Sequence, residues 1–191
     1  MKLVHGKENL LFVLVLVLKT EIRLRFLLYN SGGTNASAAT FRLDYAALSG
    51  TCASSTYAAL PTTSGSAFIT SSTTNYTDGT SSTNVSTGPA VITDPSGATF
   101  TAGKLLSTSN ITASITLNSK VFTEVEYNFQ ATSNATDGGT YCFKVTNSGT
   151  DLNTYSQYAQ ATIASNGPTL SQLLRHGQWF NASGVRQPFT F

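Results

Sequence analysis

The residues that could carry out chemistry in this chain are few and scattered. Nine acidic residues and two histidines occur among 191 residues. Glu124 and Glu126 alternate along one predicted strand, so their carboxylates share a face. They could act as a general acid and base, or bind Ca²⁺ together with Asp137. A strand face exposed to solvent explains the same alternation more simply, and this is the interpretation we prefer.

No catalytic motif supports an enzyme. His5 and His176 lie near opposite ends of the chain, so a hydrolytic triad has no credible base. The sequence contains no Gly-x-Ser-x-Gly elbow, phosphate-binding loop or dinucleotide fingerprint. Two cysteines cannot form a zinc site by themselves. We therefore expect no enzymatic activity, no metal and no cofactor.

Cys52 and Cys142 are the two cysteines of the chain. A disulfide between them would close a loop of about 90 residues and stabilise the fold by about 4 kcal/mol. Such a bond is typical of an oxidising, extracellular compartment. The alternative is two unrelated buried thiols.

The composition indicates a secreted all-β protein. Charged residues make up 10% of the chain, against roughly 25% in typical soluble domains. Polarity comes from 53 serines and threonines, whose short side chains favour strands and turns over helices. The net charge of +2 is too small for nucleic-acid binding. Arg23 and Arg25 alternate with apolar residues, which is typical of the solvent face of a strand.

Six Asn-x-Ser/Thr triplets make glycans candidate partners at the surface. This composition would give roughly three or four such triplets by chance, and O-linked sugars on the stretch 62–87 are equally plausible. The six asparagines are Asn35, Asn75, Asn84, Asn110, Asn134 and Asn181.

An apolar run near the N-terminus must be buried. As a helix it would cover about 14 Å, too short to span a bilayer of about 30 Å. It resembles the core of a secretory signal peptide, but no small-x-small cleavage site follows it. As a strand it is apolar on both faces, so it needs burial in its own sheet or in a neighbouring copy. The run is Leu10, Leu11, Phe12, Val13, Leu14, Val15, Leu16, Val17 and Leu18.

The C-terminal region differs from the middle of the chain. Leucine spacing predicts a short helix over residues 169–176, after Pro168. The aromatic tail that follows needs a docking surface on its own domain or on a partner. Its aromatic residues include Trp179, Phe180, Phe189 and Phe191.

Between these ends, alternating apolar and polar residues predict at least seven short strands, which favours a β-sandwich. The strands are expected at 20–29, 39–48, within 62–87, and at 98–101, 111–117, 120–131, 140–147 and 154–163. We therefore divide the chain into an N-terminal strand (1–19), a sandwich domain (20–164) and a helix with an aromatic tail (165–191). Four tyrosines could stack on sugar rings, although scattered core and surface positions explain them more simply; they are Tyr57, Tyr76, Tyr155 and Tyr158.

The run Asp137-Gly138-Gly139-Thr140-Tyr141 resembles the tyrosine corner of immunoglobulin-like sandwiches. The resemblance implies that the Tyr141 hydroxyl bonds to backbone upstream. The family's cysteine position holds Phe143 instead, so Cys142 should point away from Tyr141 and no core disulfide between sheets is implied. The composition is also similar to modules of prokaryotic surface layers, adhesins and non-flagellar pili.

We expect from these features a structural subunit of an extracellular filament or pilus. Its apolar N-terminal strand would complete the sheet of the next copy, so the partner is a second copy of the chain. The alternative is a monomeric cell-surface adhesin or carbohydrate-binding domain.

Overall fold

Strands form where β-branched and aromatic residues alternate with polar ones, as the sequence pattern predicts. The computed structural model describes residues 13–16, 18–85, 92–155, 157–164, 179–180 and 186–187. These residues are all-β, with one 3₁₀ turn at Cys52–Ser54. The described strands are β1 (Val13–Leu16), β2 (Glu21–Tyr29), β3 (Ala36–Ala39), β4 (Phe41–Ala47), β5 (Ala58–Ala59), β6 (Phe68–Thr70), β7 (Thr80–Ser81), β8 (Thr99–Phe100), β9 (Lys104–Leu106), β10 (Ile115–Leu117), β11 (Val121–Ala131), β12 (Thr140–Asn147), β13 (Ala159–Ile163), β14 (Trp179–Phe180) and β15 (Arg186–Gln187).

Two larger sheets make up most of the fold. One has five strands in the order β1-β13-β12-β4-β5, in which β1 is parallel to β13 and the other neighbours are antiparallel. The other has the path β2-β11-β9-β7, with β6 and β8 also paired to β11. The long strand β11 is therefore the centre of the second sheet. Two small sheets, β3 with β10 and β14 with β15, complete the described part of the chain.

The apolar faces of the two large sheets form one core. Val125, Tyr127 and Phe129 of β11 are buried on one face of the strand, as the alternation predicts. Phe129 contacts Phe143 of β12 with ring centroids 5.1 Å apart. Phe68 lies at the centre, with its ring 4.9–5.8 Å from four aromatic rings of both sheets. Those four rings belong to Tyr45, Phe129, Tyr141 and Phe143.

Tyr141 makes the contact that the tyrosine-corner resemblance implies. Its hydroxyl accepts a 2.9 Å hydrogen bond from the backbone N–H of Thr136. Gly138 has φ +68, a conformation that favours glycine in the intervening turn. The ring of Tyr141 thereby closes the turn that leads into β12.

The predicted disulfide between Cys52 and Cys142 is present, with the two Cα atoms 5.6 Å apart. Along β12, Tyr141 and Phe143 point into the core, so Cys142 points to the outer face of the five-stranded sheet. The bond therefore fastens the 3₁₀ turn after β4 onto that outer face. Its position agrees with the expectation that Cys142 would not bridge the core.

The structure describes only parts of the two ends of the chain. Within the apolar run, Val13–Leu16 forms β1 in the chain's own sheet, and Leu18 packs half-buried against the core. Trp179–Phe180 pairs antiparallel with Arg186–Gln187 in a two-stranded sheet. The other residues of the apolar run, the helix predicted at 169–176, and Phe189 and Phe191 lie outside the described residues. Within the described residues, no helix is long and apolar enough to cross a membrane.

Candidate functional site

The outer face of the five-stranded sheet carries a cluster of polar and aromatic side chains. Because Tyr141, Phe143 and Val145 point into the core, Lys144 between them points outward. Lys144 is only 9% exposed, since side chains from two loops cover it. A lysine that is so nearly buried requires specific partners for its charge.

Lys144 is surrounded by two aromatic rings and a carboxylate. Its Nζ lies 4.2 Å from the ring centroid of Tyr57 and 5.4 Å from that of Tyr155. The same Nζ forms an ion pair with Asp151 Oδ1 at 2.5 Å. Ring faces attract cations, and the carboxylate offsets the charge. These contacts satisfy the ammonium group despite its burial.

Tyr57, Tyr155 and Tyr158 form a continuous aromatic surface beside this lysine, which we call the tyrosine platform. The ring of Tyr158 stacks on that of Tyr155 at 5.4 Å and on that of Tyr57 at 6.2 Å, with interplanar angles of 29° and 27°. All three side chains are partly exposed. The platform joins the loop after the 3₁₀ turn to the segment that precedes β13.

Two of the rings are fixed by their hydroxyls. The Tyr57 hydroxyl donates to the carbonyl of Cys52 at 3.0 Å, so the disulfide-bonded turn positions this ring. The Tyr155 hydroxyl donates to the Val145 carbonyl and accepts from the Leu152 N–H, both at 2.9 Å. These hydrogen bonds position the rings of Tyr57 and Tyr155 on the outer face of the sheet.

The platform hydroxyls remain protonated over the physiological range. Burial raises the pKa of Tyr57 and of Tyr155 above the ordinary value of 10.0, and the nearby charge of Asp151 adds to the effect. Burial and Asp151 also raise the pKa of Tyr158. All three rings are therefore neutral at physiological pH.

The structure brings together three of the four tyrosines that the sequence singles out. Tyr76 lies instead beside the other sheet, where the Arg23 guanidinium is 5.2 Å from its ring centroid. The Tyr76 hydroxyl donates to the Leu106 carbonyl at 3.2 Å. Sequence reasoning missed Lys144 and Asp151; alternation along β12 places Lys144 on the outer face, but nothing in the sequence predicts the rings that cover it.

Glu124 and Glu126 are not on a solvent-exposed face, contrary to our expectation. Glu124 is fully buried and Glu126 is 5% exposed. Arg25 bonds to both carboxylates at 3.0 and 2.8 Å, and Arg23 bonds to Glu126 at 2.6 Å. The backbone N–H of Val85 also donates to Glu124 at 3.2 Å, because the segment 82–85 covers this part of the sheet.

These ion pairs occupy both carboxylates, so the geometry gives them a structural role. Asp137 lies in the turn before β12. β12 belongs to the five-stranded sheet, whereas Glu124 and Glu126 belong to the other large sheet. Within the part of the chain that the structure describes, no group of three or more His, Cys, Asp or Glu residues is placed to hold a metal ion.

The candidate glycosylation sites differ in accessibility. Asn35, Asn75 and Asn134 are exposed and Asn84 is half-buried, whereas Asn181 lies outside the described residues. Asn110 is buried: its Nδ2 donates to the carbonyls of Leu43 and Leu60, and its Oδ1 accepts from the Leu43 N–H. A glycan on Asn110 would remove one of these buried donors.

The N-terminal strand β1 is held at the edge of the five-stranded sheet. β1 pairs in parallel with β13 through four residue pairs, from Val13 with Gln160 to Leu16 with Ile163. The following strand, β2, belongs to the other sheet, so the chain crosses between sheets in the residues after Leu16. Lys19, in that crossing, has a left-handed φ of 63 and donates its N–H to the Ala131 carbonyl.

No protein-family model matches this chain, and no curated protein is significantly similar to it.

Proposed function

We propose that this protein is a structural subunit of an extracellular filament or pilus, built on an immunoglobulin-like β-sandwich. The observation that supports this most directly is the position of β1. It adds to one sheet through β13 alone, while β2 leads at once into the other sheet. A strand held in this way can be supplied by the same chain or by a neighbouring copy.

The fold assignment rests on sheet order and on Tyr141. Two packed sheets of mostly antiparallel strands, with a tyrosine-corner contact at the start of β12, support an immunoglobulin-like sandwich. The disulfide and the three exposed sequons support an extracellular location, because disulfides persist in oxidising compartments.

Strand exchange preserves the pairing of β1 while changing its source. The backbone hydrogen bonds to β13 would be the same within one chain or between two, so the exchange costs little beyond the entropy of association. Only the crossing around Lys19 must change conformation. A head-to-tail contact whose rotation does not close on itself propagates as a fibre, and we propose this for β1.

A pair of engineered cysteines tests the source of β1. Val15 and Thr162 are register partners on β1 and β13, and the two native cysteines are bonded to each other. The variant Val15→Cys with Thr162→Cys should give a ladder of covalent multimers on a non-reducing gel after assembly. The control variant Thr140→Cys with Thr162→Cys joins β12 to β13 and should give monomers only.

Electron microscopy of negatively stained samples provides the second measurement. The intact chain should form filaments, and a variant lacking residues 1–19 should not. Folded monomers of the intact chain, together with crosslinks only within single chains, would overturn the proposal and favour a monomeric surface domain.

A further inference from the structure

We propose that Lys19 is a conformational hinge that sets the balance between β1 paired in its own chain (the closed form) and β1 paired in a neighbouring copy (the exchanged form). This inference rests on the proposed assembly and adds to it the residue that regulates it. It concerns the crossing between β1, which ends at Leu16, and β2, which begins at Glu21 in the other large sheet.

The first argument is the backbone conformation of the crossing. Four residues separate Leu16 from Glu21, and among them Leu18 and Lys19 form a turn. Lys19 adopts a left-handed conformation, with φ 63. There the Cβ atom crowds the following carbonyl oxygen, so a residue other than glycine is disfavoured by about five- to thirtyfold. The closed form therefore carries backbone strain at Lys19.

The second argument is that the contacts of the crossing do not involve the Lys19 side chain. The Lys19 N–H donates to the Ala131 carbonyl at 3.0 Å, and Leu18 packs half-buried against the core. A backbone hydrogen bond contributes a net factor of about two- to twelvefold, which is of the same order as the strain. The Lys19 side chain is exposed. A substitution at residue 19 can therefore change the strain and leave these contacts in place.

The third argument is that exchange isolates the energy of the crossing. The register pairs between β1 and β13, from Val13 with Gln160 to Leu16 with Ile163, are the same whichever chain supplies β1. Their energies therefore cancel between the closed and exchanged forms. A crossing that reaches a neighbouring copy need not turn back within four residues, so residue 19 can leave the left-handed region. Short hinge segments under strain favour exchange of this kind.

The variants Lys19→Asn and Lys19→Val test the hinge as a pair. Both remove the charge, and both keep the backbone N–H that bonds to Ala131. Asparagine tolerates the left-handed conformation, whereas a β-branched residue strongly disfavours it. We measure by sedimentation the concentration at which half of the chains are assembled. Relative to the native chain, it should rise about threefold for Lys19→Asn and fall about fivefold or more for Lys19→Val.

Lys120 provides the matched control. It is also a lysine in the left-handed conformation, with φ 61, and its backbone N–H donates to the Asn30 carbonyl at 2.9 Å. It lies in the turn between β10 and β11, which is the same in the closed and exchanged forms. Lys120→Asn and Lys120→Val should therefore change the free energy of unfolding but leave the half-assembly concentration unchanged.

The outcomes separate the hinge from the assembly itself. Equal half-assembly concentrations for the native chain, Lys19→Asn and Lys19→Val, or equal shifts at Lys19 and Lys120, would overturn the hinge and leave the proposed assembly standing. Folded monomers of the native chain and of both Lys19 variants would overturn both. If Lys19→Val does not fold, Lys19→Asn against the native chain decides, because asparagine relieves strain in the closed form.

Discussion

Asp78 and Ser109 are joined by two hydrogen bonds, one from the Ser109 hydroxyl at 2.6 Å and one from its backbone N–H at 3.2 Å. The N–H groups of Ser107 and Thr108 donate to the same carboxylate at 2.6 and 3.0 Å. One side chain thus organises the turn that follows β9. Burial acts to raise the pKa of Asp78, but the hydrogen bonds from Ser109 and its neighbours outweigh it and hold the pKa below the ordinary value of 3.8.

The stability contributed by Asp78 should depend on pH. Because its folded pKa is depressed, the contribution is complete above pH 3.8 and is lost as the pH falls through the folded pKa. Asp78→Asn should lower the free energy of unfolding by about 2 kcal/mol at pH 7. Urea denaturation of both proteins between pH 2 and 7 should show this difference shrinking at acidic pH. A difference in the free energy of unfolding that stays constant with pH would contradict a depressed pKa of Asp78.

Removing Glu124 should be severely destabilising. Its carboxylate is fully buried and pairs with Arg25 and with the Val85 N–H. Glu124→Ala removes the acceptor of the Val85 N–H and one of the two carboxylates that bond Arg25. We expect the free energy of unfolding, measured by urea denaturation, to fall by about 3–5 kcal/mol. Glu21→Ala is the control on the neighbouring strand β2, where the side chain is exposed, and it should change stability by less than about 0.5 kcal/mol.

The disulfide should stabilise the fold chiefly by restricting the unfolded chain. Cys52 and Cys142 are 90 residues apart, for which the chain-entropy model gives about 4–5 kcal/mol. The double variant Cys52→Ala with Cys142→Ala should lose that amount in chemical denaturation. It should also weaken the tyrosine platform, because the Cys52 carbonyl anchors Tyr57. Equal stability of the double variant and the oxidised native protein would contradict this account.

Glycan occupancy should follow the burial of the asparagines. When the chain is secreted from a host that glycosylates Asn-x-Ser/Thr, peptide mass spectrometry should find sugar at Asn35, Asn75 and Asn134 and none at Asn110. The reason is that both Nδ2 hydrogens of Asn110 are bonded to buried carbonyls. Sugar on Asn110 of the folded protein would show that those bonds are dispensable.

The corner contact of Tyr141 should be measurable by deleting one oxygen. Tyr141→Phe keeps the ring in the core but leaves the Thr136 N–H without its acceptor. We expect a loss of about 1 kcal/mol in thermal or urea denaturation. Tyr76→Phe, which removes a hydroxyl bonded at 3.2 Å on the other sheet, provides a comparison for the loss of a longer bond.

The sequence predicted the long strands and their faces well. Alternation alone placed Val125 in the core and Glu124 opposite to it, because a period of two is a property of the extended backbone. It wrongly placed Glu124 in solvent. The segment 82–85 that covers this residue is about 40 positions away in the chain, and its placement depends on tertiary pairing that alternation does not encode. For the same reason the sequence named three platform tyrosines without predicting that they meet at Lys144.

The parallel pairing of β1 with β13 also determines how the molecule would respond to tension. The chain enters β1 at one end of the pair and leaves β13 at the opposite end, since the two strands run in the same direction. A pull on the two ends would therefore slide the strands past each other along their length. All the hydrogen bonds between them would resist together, whereas an antiparallel hairpin pulled at its open end would unzip one bond at a time. The strand to which we assign assembly in our proposal is thus also placed to bear load.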